Sequence, residues 1–164
     1  MSRWLAIWFG VGLLKPAPGT WASAVALVIG MVILRYAGFP VLVAATALVT
    51  IAGFWACGHT LQPGEDPGEV VIDEVAGQWL TLLFVAAGFW SRGWTDWLPW
   101  PAWVTPFLLF RLFDIWKPSL IGKADRRHDP AGVMLDDLWA GLFAGITTVI
   151  LAALYHLPLI LLQK

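Results

Sequence analysis

Apolar residues fall into five runs along the chain: Trp21 to Leu34, Val41 to Cys57, Val75 to Trp90, Ala102 to Phe113 and Leu138 to Leu162. The first ends at Arg35-Tyr36, and Gly38-Phe39-Pro40 then reads as a turn. Two polar stretches, His59 to Asp73 and Asp114 to Asp137, separate later runs. Ser91 to Pro101 carries Arg92, Asp96, Trp94, Trp97 and Trp100, and reads as an interfacial segment. A spanning helix needs about 20 residues. Only the last run reaches that alone; the others need flanking residues or local thinning of the bilayer. The pattern predicts an all-α, polytopic membrane bundle of four or five spans, with Ala102 to Phe113 the weakest of the five. No linker or low-complexity tract divides the chain, so residues 1–164 are expected to form a single domain.

Composition supports a membrane setting. Hydrophobic residues make up 59% of the chain and charged residues 13%, and mean hydropathy is +0.74. A soluble domain of 164 residues has too little interior to hide that much apolar surface. A net charge of −1 without a basic face excludes a nucleic-acid partner. The single cysteine, Cys57, excludes an intramolecular disulfide and a cysteine-based zinc site. Trp4 to Leu14, preceded by Arg3 and followed by Lys15 and Pro16-Ala17-Pro18, admits reading as a signal peptide. Its tryptophans and its basic end fit an interfacial helix better. No lipidation motif is visible.

Lys and Arg set the expected orientation. With five spans, Arg3, Lys15, Arg111, Lys117, Lys123, Arg126 and Arg127 share one side, against Arg35, Arg92 and Lys164 on the other. That bias puts the N-terminus and both polar stretches in the cytoplasm; the expected location is the inner membrane. Four spans would separate the two polar stretches.

The acidic residues are concentrated. Ten of the 11 lie in two stretches: Glu65, Asp66, Glu69, Asp73 and Glu74, and then Asp114, Asp125, Asp129, Asp136 and Asp137. Each stretch ends in an acidic pair at the start of an apolar run. Helix capping explains one such pair; two pairs suggest convergence. Crowded carboxylates repel unless a proton or cation joins them, and hard oxygen donors suit Mg²⁺. Asp73, Gly77 and Thr81 share one helical face, as do Asp137, Gly141, Gly145 and Thr148. Small residues admit a close neighbour, so facing stripes would bring Asp73 and Asp137 together. Alternatively, Gly141-x-x-x-Gly145 packs other helices or a second copy of the chain. Adjacent helical residues point about 100° apart, so one member of each pair is expected at the metal and the other at a cap or a supporting position. Arg111, Asp114 and Lys117 form a further charged group at a helix end: either an ion-paired turn closed by Pro118, or phosphate ligands (Arg111, Lys117) beside a metal or proton-transfer group (Asp114). Pro18-Gly19-Thr20 reads as a helix N-terminus able to meet an anion, or as a plain cap at Thr20. His59 and His128 read as exposed.

Four segments resemble the phosphatidylglycerophosphatase A family: Pro18-Gly19-Thr20; Val70-Val71-Ile72-Asp73-Glu74-Val75-Ala76-Gly77; Phe110-Arg111-Leu112-Phe113-Asp114-Ile115-Trp116-Lys117-Pro118; and Gly132-Val133-Met134-Leu135-Asp136-Asp137-Leu138-Trp139-Ala140-Gly141. They occur in the family's order. The resemblance implies an all-α membrane enzyme that dephosphorylates phosphatidylglycerophosphate to phosphatidylglycerol with Mg²⁺, in phospholipid biosynthesis. It implies Asp73, Glu74, Asp136 and Asp137 as metal ligands. From the residues' own chemistry, Arg111, Lys117 and Thr20 are the expected phosphate ligands, and Asp114, Lys117 and Asp137 the expected catalytic groups. His128-Asp129-Pro130-Ala131-Gly132 departs from the family's glycine-rich turn and should be stiffer. Cysteine-, haloacid-dehalogenase- and histidine-type phosphatase motifs are missing. A small cation transporter and a membrane interaction subunit are the competing readings. Transport would favour carboxylates deep in mid-helix.

Overall fold

The computed structural model describes residues 1–162 except Pro63 and Asp66, with side chains as far as His156. Of the residues counted above, Asp66 and Lys164 therefore lie outside the described residues. All regular structure among the described residues is helical. Among the described residues, four helices are long and apolar enough to cross a membrane: α2 (Pro18–Tyr36), α3 (Phe39–Thr60), α4 (Ile72–Trp90) and α7 (Pro130–Leu162). Two shorter ones, α5 (Pro101–Trp116) and α6 (Leu120–Asp125), stand between α4 and α7. A short α1 (Ser2–Ala6) opens the chain.

The choice between four and five passes resolves through α5. Its 16 residues cover about 24 Å at 1.5 Å per residue, short of the ~30 Å hydrocarbon core. It nevertheless carries the chain from one end of the bundle to the other. At its start lie the aromatic contacts of the far end: Phe39 stacks on Trp90, Tyr36 meets Trp97 edge-on, and Arg35 pairs with Asp96 at 3.5 Å. At its finish, Arg111 reaches Ser23 in the second turn of α2. Both acidic stretches therefore lie at one end, where the Gly64 amide donates to the His128 carbonyl across 2.8 Å. All seven basic residues assigned to that side are at this end, and Arg35 and Arg92 are at the other.

The N-terminal segment is not one interfacial helix. Positive φ at Trp8, Phe9 and Gly10 breaks it into α1 and a 3-10 segment, Trp8–Leu13. The break turns the segment onto the loop before α4: the Val71 amide donates to the Ala6 carbonyl at 2.9 Å, Arg3 pairs with Glu69, and Trp8 packs edge-on against Trp79. Trp4, Phe9, Leu13 and Leu14 stay exposed.

α7 also starts earlier than hydrophobicity shows. Pro130 occupies its first position, where a missing N–H costs nothing, and the Asp129 carboxylate accepts the Gly132 amide at 2.6 Å. Hydrogen bonds from Arg127 and from that amide hold the Asp129 carboxyl below the usual carboxylate range. This His128-Asp129-Pro130 turn is the cap of α7. Asp136 and Asp137 are thus about two turns inside the helix, and capping does not account for them.

α4 is the central helix, touching α2, α3, α5 and α7. Its small-residue face meets that of α7. A Cβ on Gly141 would lie 2.5 Å from the Gly77 carbonyl oxygen, and one on Gly77 would lie 2.6 Å from the Asp137 carbonyl oxygen. Thr81 Oγ1 shares its proton between the Gly77 carbonyl (2.9 Å) and the Gly141 carbonyl across the interface (3.1 Å). Backbones this close leave no room for side chains, which is why both positions are glycine. The stripes are consumed within one chain, so a second copy would have to dock on another face.

Candidate active site

The α4–α7 contact sets the distance between the carboxylates. Ligand oxygens from Asp73, Glu74 and Asp137 all lie within 4.8 Å of one another. Asp73 and Glu74 occupy the first turn of α4, and neither caps it through its side chain. Asp73 is 8% exposed and Asp137 2%. Asp73 Oδ1, Glu74 Oε2 and Asp137 Oδ2 are all buried without a hydrogen-bond partner. Withdrawing several carboxylates from water costs several kcal/mol each unless a countercharge meets them. An oxygen-only set of this kind suits a hard divalent cation.

The expectation that each pair splits holds for only one of them. Asp137 faces the cluster, while the Asp136 Oδ1 accepts the Asp137 amide and its Oδ2 accepts Lys117 Nζ at 2.7 Å. Asp136 is thus placed as a partner of Lys117 and not among the converging ligands. In the other pair both carboxylates join the cluster, because the chain turns into α4 just before them and α2 and α7 approach from different sides.

Arg111 stands on the α2 side. Its Nη1 lies 2.6 Å from Asp114 Oδ2, with both side chains largely buried, and donates to Ser23 Oγ at 3.4 Å. Asp114 in turn sits beside Asp137. Lys117 ends α5 in a left-handed conformation (φ 49°, ψ 51°), a cap position that favours glycine. The turn delivers its ammonium to Asp125 and Asp136 at 2.5 and 2.7 Å. Burial pulls the Lys117 ammonium down, but the hydrogen bonds it donates to Asp125 and Asp136 outweigh this and hold it above the usual lysine range. With a raised folded-state pKa, this pairing stabilises the protein below the unfolded lysine value and is lost only at strongly alkaline pH. Lys117 therefore stays cationic throughout the neutral range.

Thr20 is not a cap, because α2 begins two residues earlier with Ala17 at the cap. Thr20 is exposed, and the residue of that segment which reaches the cluster is Gly19. A Cβ there would collide with Glu74 Oε1 and come within 3.3 Å of Arg111 Nη1. We expect Gly19→Ala to lower kcat/KM by about 10- to 100-fold, since small misplacements at a reacting centre cost that much. Thr20→Ala should stay within about twofold, and steady-state kinetics separates the two. Sequence reasoning passed over Gly19, Ser23, Gln78 and Asp125 as individual site residues. The available signals were Ser23 one turn after Gly19, and Gln78 as a polar residue within an apolar helix one turn after Glu74.

A match to the family described as Phosphatidylglycerophosphatase A covers residues 4–152. The chain belongs to the phosphatidylglycerophosphatase A family. It is similar to a protein of Haemophilus influenzae named Phosphatidylglycerophosphatase A, 34% identical over 87% of this chain and 83% of that protein. An Escherichia coli protein of the same name is 32% identical over 87% of this chain and 78% of its own length. A Bacteroides thetaiotaomicron protein named Putative phosphatidylinositol-3-phosphatase is 36% identical over 84% of this chain and 85% of its own. No solved structure matches. The chain is an enzyme of the phosphatase class. Its relatives' names differ in the phospholipid headgroup.

Proposed function

We propose that the protein removes the terminal phosphate of phosphatidylglycerophosphate, at the cytoplasmic face of the inner membrane, in phospholipid biosynthesis, with Mg²⁺ held by Asp73, Glu74 and Asp137. The observation that carries this reading is the set of three buried carboxylates, each with an unpartnered oxygen, beside the guanidinium of Arg111. Mg²⁺ bound there would neutralise phosphate charge and acidify a water molecule. Arg111 is the group suited to the phosphate oxygens, because a guanidinium offers two parallel donors. Asp114 pairs with it at 2.6 Å and, beside Asp137, would take or give a proton. Lys117 neutralises Asp136 and ties α5 to α7. The N-terminus of α2 adds free amides and a partial positive charge at Gly19. The cluster sits at the bundle end, level with the first turns of α2 and α4, where a lipid headgroup arrives. That position favours headgroup chemistry over cation transport.

The test is phosphate release by purified protein from a panel of lipids. Phosphatidylglycerophosphate should be turned over fastest. Faster turnover of phosphatidylinositol 3-phosphate would move the substrate assignment, and no release from either would overturn the reading. Sidedness is tested separately. Cysteines introduced at Glu65 and Arg126 should both be shielded from an impermeant reagent in spheroplasts. Labelling of both would reverse the orientation, and labelling of one alone would contradict the shared site.

A further inference from the structure

Gln78 has no place in the chemistry above, yet its surroundings are unusual. It is fully buried, at 0% exposure, and neither its amide nitrogen nor its carbonyl oxygen has a partner. It lies one turn after Glu74 on α4, so the two side chains share a face. That face looks toward α2. The helices α2 and α4 run in the same direction, with Gly19 against Glu74 and Gly30 against Trp79 and Leu82, and Trp79 Nε1 donates to the Ala26 carbonyl at 2.7 Å. In this register Gln78 is level with Ser23, the residue that Arg111 Nη1 reaches. Arg111 and Glu74, which both approach Gly19, carry two more orphans: the Arg111 Nε donor and the Glu74 Oε2 acceptor.

The orphans are complementary, two donors and two acceptors. We infer that Gln78 is a positioning residue that bridges Arg111 and Glu74 once the cluster holds a cation: its carbonyl oxygen then accepts Arg111 Nε–H, and its amide N–H donates to the Glu74 carboxylate. The bridge would fix a metal-binding carboxylate and a phosphate-binding guanidinium in one geometry. Groups that hold metal ligands in this way are worth about 10- to 100-fold in metal affinity. The inference rests on the Mg²⁺ reading of the cluster.

The experiment compares wild-type protein with Gln78→Met and Gln78→Leu, two apolar replacements of similar volume. Thermal unfolding is followed as MgCl₂ is titrated, alongside kcat and KM. In wild type, Mg²⁺ should raise the Tm. In both variants the Tm without Mg²⁺ should match or exceed that of wild type, since orphaned amide atoms are removed. The Mg²⁺ concentration for half the Tm shift should rise about 10-fold or more, and KM should rise with it while kcat at saturating Mg²⁺ changes less. If a variant keeps the wild-type Mg²⁺ midpoint and KM, the bridge does not exist. If both variants are destabilised without Mg²⁺ yet keep that midpoint, Gln78 is a packing residue and the inference falls. If wild type itself shows no Mg²⁺ response, the metal reading fails first, which is a different result.

Discussion

Asp73→Asn and Asp137→Asn should each lower kcat by at least about 100-fold, the scale of losing one preorganised electrostatic or acid–base contribution. Both substitutions keep the shape of the side chain and remove its charge. The two residues come from different helices, so neither compensates for the other at a shared cation. Stability should move differently. Three carboxylates with ligand oxygens within 4.8 Å of one another repel in metal-free protein, and removing one charge relieves this. Each variant should therefore be as heat-stable as wild type without Mg²⁺ and gain less from its addition. Glu65→Gln and Asp96→Asn should be near neutral, as both lie outside the cluster. Wild-type turnover in either Asp variant would show that its carboxylate is not part of the site.

Gly141→Ala should impair the enzyme without touching any charged residue. The new Cβ would stand 2.5 Å from the Gly77 carbonyl oxygen and 3.1 Å from its Cα and carbonyl carbon, all backbone atoms that move only with their helices. Overpacking of this kind costs about 1–3 kcal/mol. Relief comes from separating α4 and α7, which also separates Asp73 and Glu74 from Asp137. A displacement of about 1 Å at a reacting centre costs about 100-fold in rate, so activity should fall further than stability. Gly58→Ala is the control, because its Cβ would meet nothing within 4 Å. Equal effects of the two substitutions on kcat/KM and Tm would show that the close approach does not set the site.

Much of this arrangement was legible in the chain. Hydrophobic runs located the spans, and the small residues at positions 77, 141 and 145 marked the faces that meet. Acidic pairs next to those faces marked the carboxylates that converge. Other features were hidden for physical reasons. The α7 start was masked because residues 130–137 mix polar and apolar positions, so the helix outruns its hydrophobic signal, while Asp129 and Pro130 carried the cap. Thr20 drew attention as a hydroxyl residue at a helix start, but Pro18 opens α2 earlier and leaves the contact to Gly19. Asp136 looked equivalent to Asp137, and only the left-handed turn at Lys117, a tertiary feature, drew it to a lysine partner. The N-terminal run was apolar enough for one helix, yet docking against Val71 and Trp79 is met by a break at residues 8–10.

The central claim is that three carboxylates brought together by α4 and α7 hold a catalytic cation. Phosphate release from phosphatidylglycerophosphate by the purified protein, measured in EDTA and again after excess Mg²⁺ is added, tests it most directly. The expected result is loss of turnover in EDTA and its return with Mg²⁺. Full turnover in EDTA would contradict the account.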